Sequence, residues 1–125
     1  MAKADIIIAE DDAALLNLCM KKFVAAGYSV RTAEDGERAI ALIQEQAPDL
    51  LILDIHIPKA DGFQVLQQCP RSSRNFPIII VTNFSEPEFK LRGMELGADD
   101  YFVKKDMTIR SLVQMVERHL VNKIH

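Results

Sequence analysis

The stretch Leu50-Leu51-Ile52-Leu53-Asp54 consists of four apolar residues that end in a carboxylate. Continuous apolarity, rather than alternation with polar residues, is typical of a strand whose sheet is covered on both faces. Two further runs of this kind and two weaker strand patterns occur along the chain, at residues 6–9, 78–81, 28–32 and 101–103. Together the five patterns predict a parallel sheet.

Helical patterns separate these strands. Apolar residues recur there at offsets of three, four and seven, which places them on one face of a helix. The clearest sets are Leu16, Cys19, Met20 and Phe23; Ala39, Leu42, Ile43 and Gln46; and Ile109, Leu112, Val113, Val116 and Leu120. Alternating strands and helices predict a three-layer, doubly wound α/β fold with right-handed crossovers.

Composition limits the domain count and the partner classes. A chain of 125 residues with 49% hydrophobic and 26% charged residues suits one domain. The net charge of −3 comes without a basic stripe, which argues against nucleic acid or an anionic membrane as partner. No apolar run approaches the roughly 20 residues of a membrane-spanning helix, and we expect a cytoplasmic protein. Cys19 and Cys69 lack metal or redox spacing, so we expect free thiols packed on helices.

Polar side chains follow four of the five predicted strands. In doubly wound folds, ligands bind beyond the carboxyl ends of the strands. The residues at those ends are Glu10, Asp11 and Asp12 after the first strand, Asp54 after the third, Thr82 and Asn83 after the fourth, and Lys104 and Lys105 after the fifth. We therefore predict that three carboxylates, a hydroxyl and an ammonium group meet at one edge.

These groups point to phosphoryl transfer. Glu10, Asp11 and Asp54 cannot all stay ionised close together unless a cation neutralises them. Hard carboxylate oxygens suit Mg²⁺. Lys104 adds a positive charge and Thr82 a hydrogen-bond donor, so the set could stabilise a phosphoryl group that is transferred onto Asp54 as an aspartyl phosphate.

The same residues resemble a known family over essentially the whole chain. The matching segments are Ile8 to Asp12, Leu51 to Pro58 continuing into Asp61-Gly62, Ile80 to Thr82, and Gly97 to Lys104, with Asp11 and Asp54 separated by 43 residues. In this order they resemble the receiver domain of two-component response regulators. The resemblance implies a flavodoxin-like, five-stranded parallel sheet of order 2-1-3-4-5, flanked by five helices.

The resemblance also implies a role for each site residue. Glu10 and Asp11 would hold Mg²⁺, and the backbone carbonyl of His56 would complete the protein ligands. Asp54 would be phosphoacceptor and metal ligand, and Lys104 would pair with a phosphoryl oxygen. Thr82 and Tyr101 would form the switch pair, in which the hydroxyl moves toward the phosphoryl group and the ring turns inward. The neighbouring Asp12 is predicted to cap the first helix instead of binding metal.

Two positions depart from the family. Lys105 replaces the proline that usually follows the lysine, and a cis bond before a non-proline residue costs about 2.5 to 4 kcal/mol, so we expect a trans peptide and an altered loop. Asn83 is larger than the usual small residue. Phe84 and His56 flank the site and could screen water, which predicts slow loss of the phosphoryl group. We expect the His56 side chain to face solvent, and His119 and His125 to be structural or solvated.

Part of a charged dimerisation pattern is present in the second half of the chain. Arg92, Glu95, Asp99 and Asp100 resemble it, but Met115 lies where a matching arginine would be. We expect a monomer or a weak dimer. An exposed Ile109 or Met115 could contact a different partner.

We predict a stand-alone receiver over residues 1–125, without an output domain, that is not a conventional enzyme. It would take a phosphoryl group from a histidine kinase or phosphotransfer protein and signal to an effector protein, without direct nucleic-acid or membrane binding. Three alternatives remain: a receiver from a longer regulator or hybrid kinase, a non-phosphorylated docking module, and a Mg²⁺-dependent phosphatase. The phosphatase would need a second acid where His56 lies.

Overall fold

The computed structural model describes residues 2–124, with side chains described for residues 2–121. The prediction for His125 lies outside the described residues. Five strands run along the chain: β1 (Asp5–Ala9), β2 (Ser29–Ala33), β3 (Leu50–Leu53), β4 (Ile78–Thr82) and β5 (Asp100–Val103). Five helices separate and follow them: α1 (Ala13–Ala25), α2 (Gly36–Glu45), α3 (Gly62–Gln68), α4 (Pro87–Glu95) and α5 (Ile109–Ile124).

The strands form one parallel sheet in the order β2-β1-β3-β4-β5, which confirms the predicted architecture. The second strand begins one residue later than the pattern predicted. Tyr28 instead lies buried before it, with its ring edge-on to Phe23 at a centroid distance of 5.9 Å. The aromatic residue therefore extends the core next to the strand without joining the ladder.

The core has two layers, one on each face of the sheet. Leu51 and Leu53 pack in the layer that contains residues of α2 and α3, whereas Leu50 and Ile52 pack in the layer with α1 and α5. All four are at most 3% exposed. Burial on both faces explains why this strand is apolar throughout rather than alternating.

The N-termini of α1 and α3 are fixed by local contacts. Asp12 caps α1 as predicted, accepting hydrogen bonds from the backbone N–H groups of Ala14 and Leu15 at 3.0 and 3.2 Å. At α3, Asp61 and Gln64 form a reciprocal capping box. Gly62 starts this helix because a Cβ there would lie 2.6 Å from the Cα of Ile55, so the loop after β3 can fold tightly against the strand end.

Two surface predictions are corrected by the packing. Ile109 and Met115 are half-buried against the layer that holds α1 and α5, so they are not the exposed apolar residues that the sequence suggested.

Cys19 and Cys69 are free and buried as expected, although Cys69 lies at the C-cap of α3 rather than inside a helix. Across the described chain, no helix combines the length and the apolarity that a bilayer crossing requires.

Candidate functional site

The carboxyl ends of β1, β3, β4 and β5 meet at one edge of the sheet. Ala9 pairs with Leu53, and the backbone N–H of Asp54 donates to the carbonyl of Ala9 at 2.9 Å. On the other side Thr82 pairs with Val103, the residue before Lys104. This register brings the side chains that follow the central strands into a common cleft, as the sequence predicted.

Asp54 lies at the centre of the cleft. It is 4% exposed, and both carboxylate oxygens are hydrogen-bonded. Oδ1 accepts from the backbone N–H of His56 at 3.0 Å, and Oδ2 accepts from the Lys104 ammonium at 2.9 Å. A buried carboxylate is costly unless it is paired, and these two contacts orient it as well as stabilise it.

Lys104 bridges two carboxylates. Its Nζ lies 2.6 Å from Glu10 Oε1 in addition to the contact with Asp54. Burial by itself disfavours the charged ammonium, but hydrogen bonds to Glu10 and Asp54 outweigh it and raise the pKa of Lys104. The ammonium therefore stays charged and acts as an internal counter-ion.

The same crowding favours the neutral form of Glu10. Burial, followed by the hydrogen bond and negative charge of Asp54, raises the pKa of Glu10 to about 7, against the opposing effect of Lys104. One ammonium group is thus insufficient for the acids that surround it. The site has an excess of negative charge that a further cation would relieve.

Glu10, Asp11 and Asp54 have the geometry of a cation site. One carboxylate oxygen from each lies within 4.8 Å of the others. Two of the three residues are buried and Asp11 is exposed, so an ion could enter from solvent on the Asp11 side. The donor set consists of hard anionic oxygens, and with Lys104 its formal charge is −2 when all acids are ionised. These residues fit a hard divalent cation.

The predicted switch residues meet through the backbone of Phe84. Thr82 is fully buried at the end of β4, and its Oγ1 accepts a hydrogen bond from the N–H of Phe84 at 3.3 Å. The Tyr101 hydroxyl donates to the carbonyl of Phe84 at 2.9 Å. Burial, and secondarily the charge of Glu86, raise the pKa of Tyr101, so its phenol remains a donor.

The departures from the family pattern have simple structural outcomes. Lys104 begins a single 3-10 turn that ends at Asp106, and Lys105 within it is exposed. No cis peptide bond occurs in the described part of the chain, which confirms the trans prediction. Asn83 is exposed, and so is the His56 side chain, as expected.

His56 and Phe84, which the sequence predicted to flank the site, belong to a longer row of aromatic rings whose other members were not predicted. The exposed ring of His56 lies edge-on to Phe84 with centroids 5.3 Å apart. Phe84 stacks on Phe89 at 4.7 Å, and Phe89 lies parallel to Phe63 at 6.4 Å. The Arg92 guanidinium lies over the Phe63 ring at 4.3 Å from its centroid. Phe84 and Phe89 are five positions apart, which matches no helical or strand period, and Phe63 is distant from both in sequence. The sequence therefore contains no sign that the three rings would meet.

The charges of the predicted dimerisation pattern are engaged within the chain. Asp99 contacts Arg74 at 2.9 Å and Arg71 at 3.6 Å, while Asp100 contacts His119 at 3.0 Å. The His119 contact agrees with the structural role that we predicted. Arg92 packs on Phe63 as described above, and Glu95 is exposed. Most of the residues predicted to make contacts between two chains therefore make contacts within this chain.

Comparison with known proteins agrees with this geometry. The family of response regulator receiver domains matches residues 6–117. The chain is 35% identical over 124 residues to the probable transcriptional regulator ycf27 of Porphyridium aerugineum, a match that covers 94% of this chain and 51% of that protein. It is 38% identical over 99 residues to the alkaline phosphatase synthesis transcriptional regulatory protein PhoP of Bacillus subtilis, covering 79% of this chain and 41% of that protein.

Solved structures show the same fold. The receiver domain of the Francisella response regulator 1452 superposes with a TM-score of 0.89 at 28% identity, covering 96% of this chain and 98% of that one. The chain is a receiver of two-component signal transduction. It belongs to the family of response regulator receiver domains. It spans about half the length, or less, of the curated relatives described above.

Proposed function

We propose that Asp54 is the phosphoacceptor of this receiver. The observation that carries the proposal is a carboxylate 4% exposed at the end of the central strand, held by Lys104 at 2.9 Å and by the His56 N–H at 3.0 Å. An oxygen of Asp54 forms a bond to the phosphorus of a donor phosphohistidine as the N–P bond breaks. The imidazole leaves with the bonding electron pair and is protonated.

The neighbouring residues stabilise the transferred group. Lys104 pairs with a phosphoryl oxygen, since its ammonium already contacts one of the two carboxylate oxygens of Asp54. Thr82 donates a hydrogen bond from its hydroxyl group to another phosphoryl oxygen after leaving its contact with Phe84, and Tyr101 follows as the second member of the switch pair. The chain thus assists its own phosphorylation without being a conventional enzyme.

Mg²⁺ is the cofactor that this donor set suits. Glu10, Asp11 and Asp54 would hold it. The backbone carbonyl of His56 would be a further ligand, since the hydrogen bond from the His56 N–H to Asp54 keeps this residue beside the carboxylates. When bound, the ion would neutralise charge that develops on the phosphoryl oxygens. Its oxygen ligands and partial hydration distinguish it from zinc, which prefers nitrogen and sulfur.

The metal site can be tested by a matched pair of neighbouring substitutions. Mg²⁺ should raise the thermal midpoint of the native chain, and Asp11→Asn should lose most of that increase. Asp12→Asn removes the same charge one residue away and keeps a good helix cap, so its response to Mg²⁺ should match the native chain. Equal responses of the two variants would argue against the proposed ligands.

The phosphoacceptor can be tested by intact mass after incubation with a small acyl phosphate and Mg²⁺. We expect one phosphoryl adduct on the native chain and none on Asp54→Asn. Asp106→Asn, which changes an exposed acid in the turn after Lys104, should still form it. Turnover of unrelated phosphoesters without an adduct would instead indicate a phosphatase, and inertness in both assays a docking module.

We further propose that residues 1–125 act as one receiver unit that a histidine kinase or phosphotransfer protein phosphorylates and that an effector protein or a linked output domain reads. The family match over residues 6–117 and the single continuous sheet support one unit. A cytoplasmic location and a monomer or weak dimer fit this role. The ion pair of Asp99 with Arg74 and the contact of Asp100 with His119 within the chain support the weaker association.

A further inference from the structure

Phe84 collects four contacts that join different parts of the molecule. Its backbone N–H donates to Thr82 Oγ1 at 3.3 Å, and its carbonyl accepts from the Tyr101 hydroxyl at 2.9 Å. Its ring meets His56 edge-on at 5.3 Å and stacks on Phe89 at 4.7 Å with an interplanar angle of 18°. The backbone of one residue is thus tied to the switch pair, and its side chain to helix α4.

The ring contacts continue to helix α3. Phe89 lies parallel to Phe63 within 8° at 6.4 Å, and Arg92 covers the Phe63 ring at 4.3 Å. We call the rings of Phe84, Phe89 and Phe63, with the Arg92 guanidinium, the aromatic ladder. The ladder lines an open groove of about 350 Å³ between the two helices, whose wall near the site is His56.

We propose that the aromatic ladder carries the phosphorylation state of Asp54 to the groove between α3 and α4, with Phe84 as the positioning residue. The proposal rests on the function proposed above, because it takes the Thr82 hydroxyl to move toward a phosphoryl oxygen. The hydrogen bond from Phe84 to that hydroxyl is already long at 3.3 Å, so the movement would break it and release the loop.

Stacked rings must move with the loop that holds them. Phe84 and Phe89 are in ring contact, and a displaced Phe84 would leave a gap in the stack unless Phe89 followed. Helix α4 can follow at low cost, since Gly93 is its only buried residue and no side chain caps its first turn. Arg92, one turn after Phe89 on the same helix, then changes its position over Phe63.

The test measures the NMR signal of the Arg92 side chain, which the ring current of Phe63 makes sensitive to their separation. On phosphorylation of the native chain by a small acyl phosphate with Mg²⁺, the Arg92 signal should shift. In Phe89→Leu, which removes one ring of the ladder, the shift should fall to less than half. Phe89→Tyr keeps the ring and should restore it, while Phe102→Leu, a half-buried ring outside the ladder, should leave it unchanged.

The adduct measured by intact mass separates the possible failures. A native chain that forms the adduct without an Arg92 shift would overturn the ladder and leave the phosphoacceptor intact. An undiminished shift in Phe89→Leu would do the same. A native chain that forms no adduct would overturn both proposals. A dispersed amide spectrum of each variant shows that it has folded.

Discussion

Helices α3 and α4 are neighbours on the same face of the sheet, yet they are held in different ways. The seven-residue α3 buries Gly62, Phe63, Val65 and Leu66 and has a complete capping box. The nine-residue α4 buries only Gly93, has no side-chain cap, and exposes 60% of Leu91 and 37% of Met94. The shorter helix is therefore the more firmly anchored.

This contrast shows which part of the fold can move. Buried apolar area stabilises a helix by about 25 cal/mol per Å², and α4 contributes little of it. It approaches the sheet at Gly93, where a Cβ would lie 2.6 Å from Ile80 Cδ1. A helix fixed mainly by ring stacking and backbone proximity can change position while the core beneath it stays intact.

The largest expected effect comes from shortening one leucine in each helix. Leu66→Ala in α3 removes a side chain with no exposed surface and should cost about 2–5 kcal/mol of unfolding free energy. Leu91→Ala in α4 should cost less than about 0.5 kcal/mol. Urea unfolding of both variants measures the two losses, and similar values would show that α3 and α4 are equally well anchored.

The loops that lead into the two helices meet at the contact between His56 and Phe84. Because this pair flanks the site, Phe84→Ala should admit water and speed loss of the phosphoryl group about tenfold, or ~1.4 kcal/mol in activation free energy. Phe89→Ala leaves the contact between His56 and Phe84 in place and should decay like the native chain. Following the adduct by mass over time checks both rates. Equal decay of all three chains would show that the rings do not screen the site.

A smaller contrast concerns the helix starts. Asp61→Ala removes half of the capping box of α3 and should cost about 1 kcal/mol. Glu86→Ala, at the uncapped start of α4, should change the unfolding free energy by less than about 0.5 kcal/mol. Thermal or urea unfolding would reveal the difference. A larger loss in Glu86→Ala would mean that α4 is anchored at its start after all.

The sequence predicts the fold and the convergence of the site because both follow from local patterns. Apolar runs such as Leu50 to Leu53 mark buried strands, and parallel strands bring whatever follows them to one edge, so Glu10, Asp54 and Lys104 had to meet. The capping role of Asp12 could also be predicted from the sequence, since a capping residue acts on the N–H groups next to it.

What the sequence missed depends on packing between distant segments. Arg92 and Asp99 resemble an intermolecular pattern, but their contacts with Phe63 and Arg74 form only once the helices and loops have docked. Met115 lies outside the apolar stripe predicted for the last helix, and the breadth of the half-buried face of α5 became visible only in three dimensions. The stacking of Phe89 on Phe84 and Phe63 likewise joins segments that no periodicity relates.

The Lys104 bridge has a consequence for resetting the signal. An ammonium group that already rests between Glu10 and Asp54 can exchange one anionic oxygen for another while remaining paired throughout. Under the proposed mechanism, this lysine changes partners when the phosphoryl group is added or removed. Its charge is never left unpaired in the protein interior. If Asp54 is the phosphoacceptor, the lysine would thus be paired in both states, and the chain could be phosphorylated and dephosphorylated repeatedly, as a reusable switch requires.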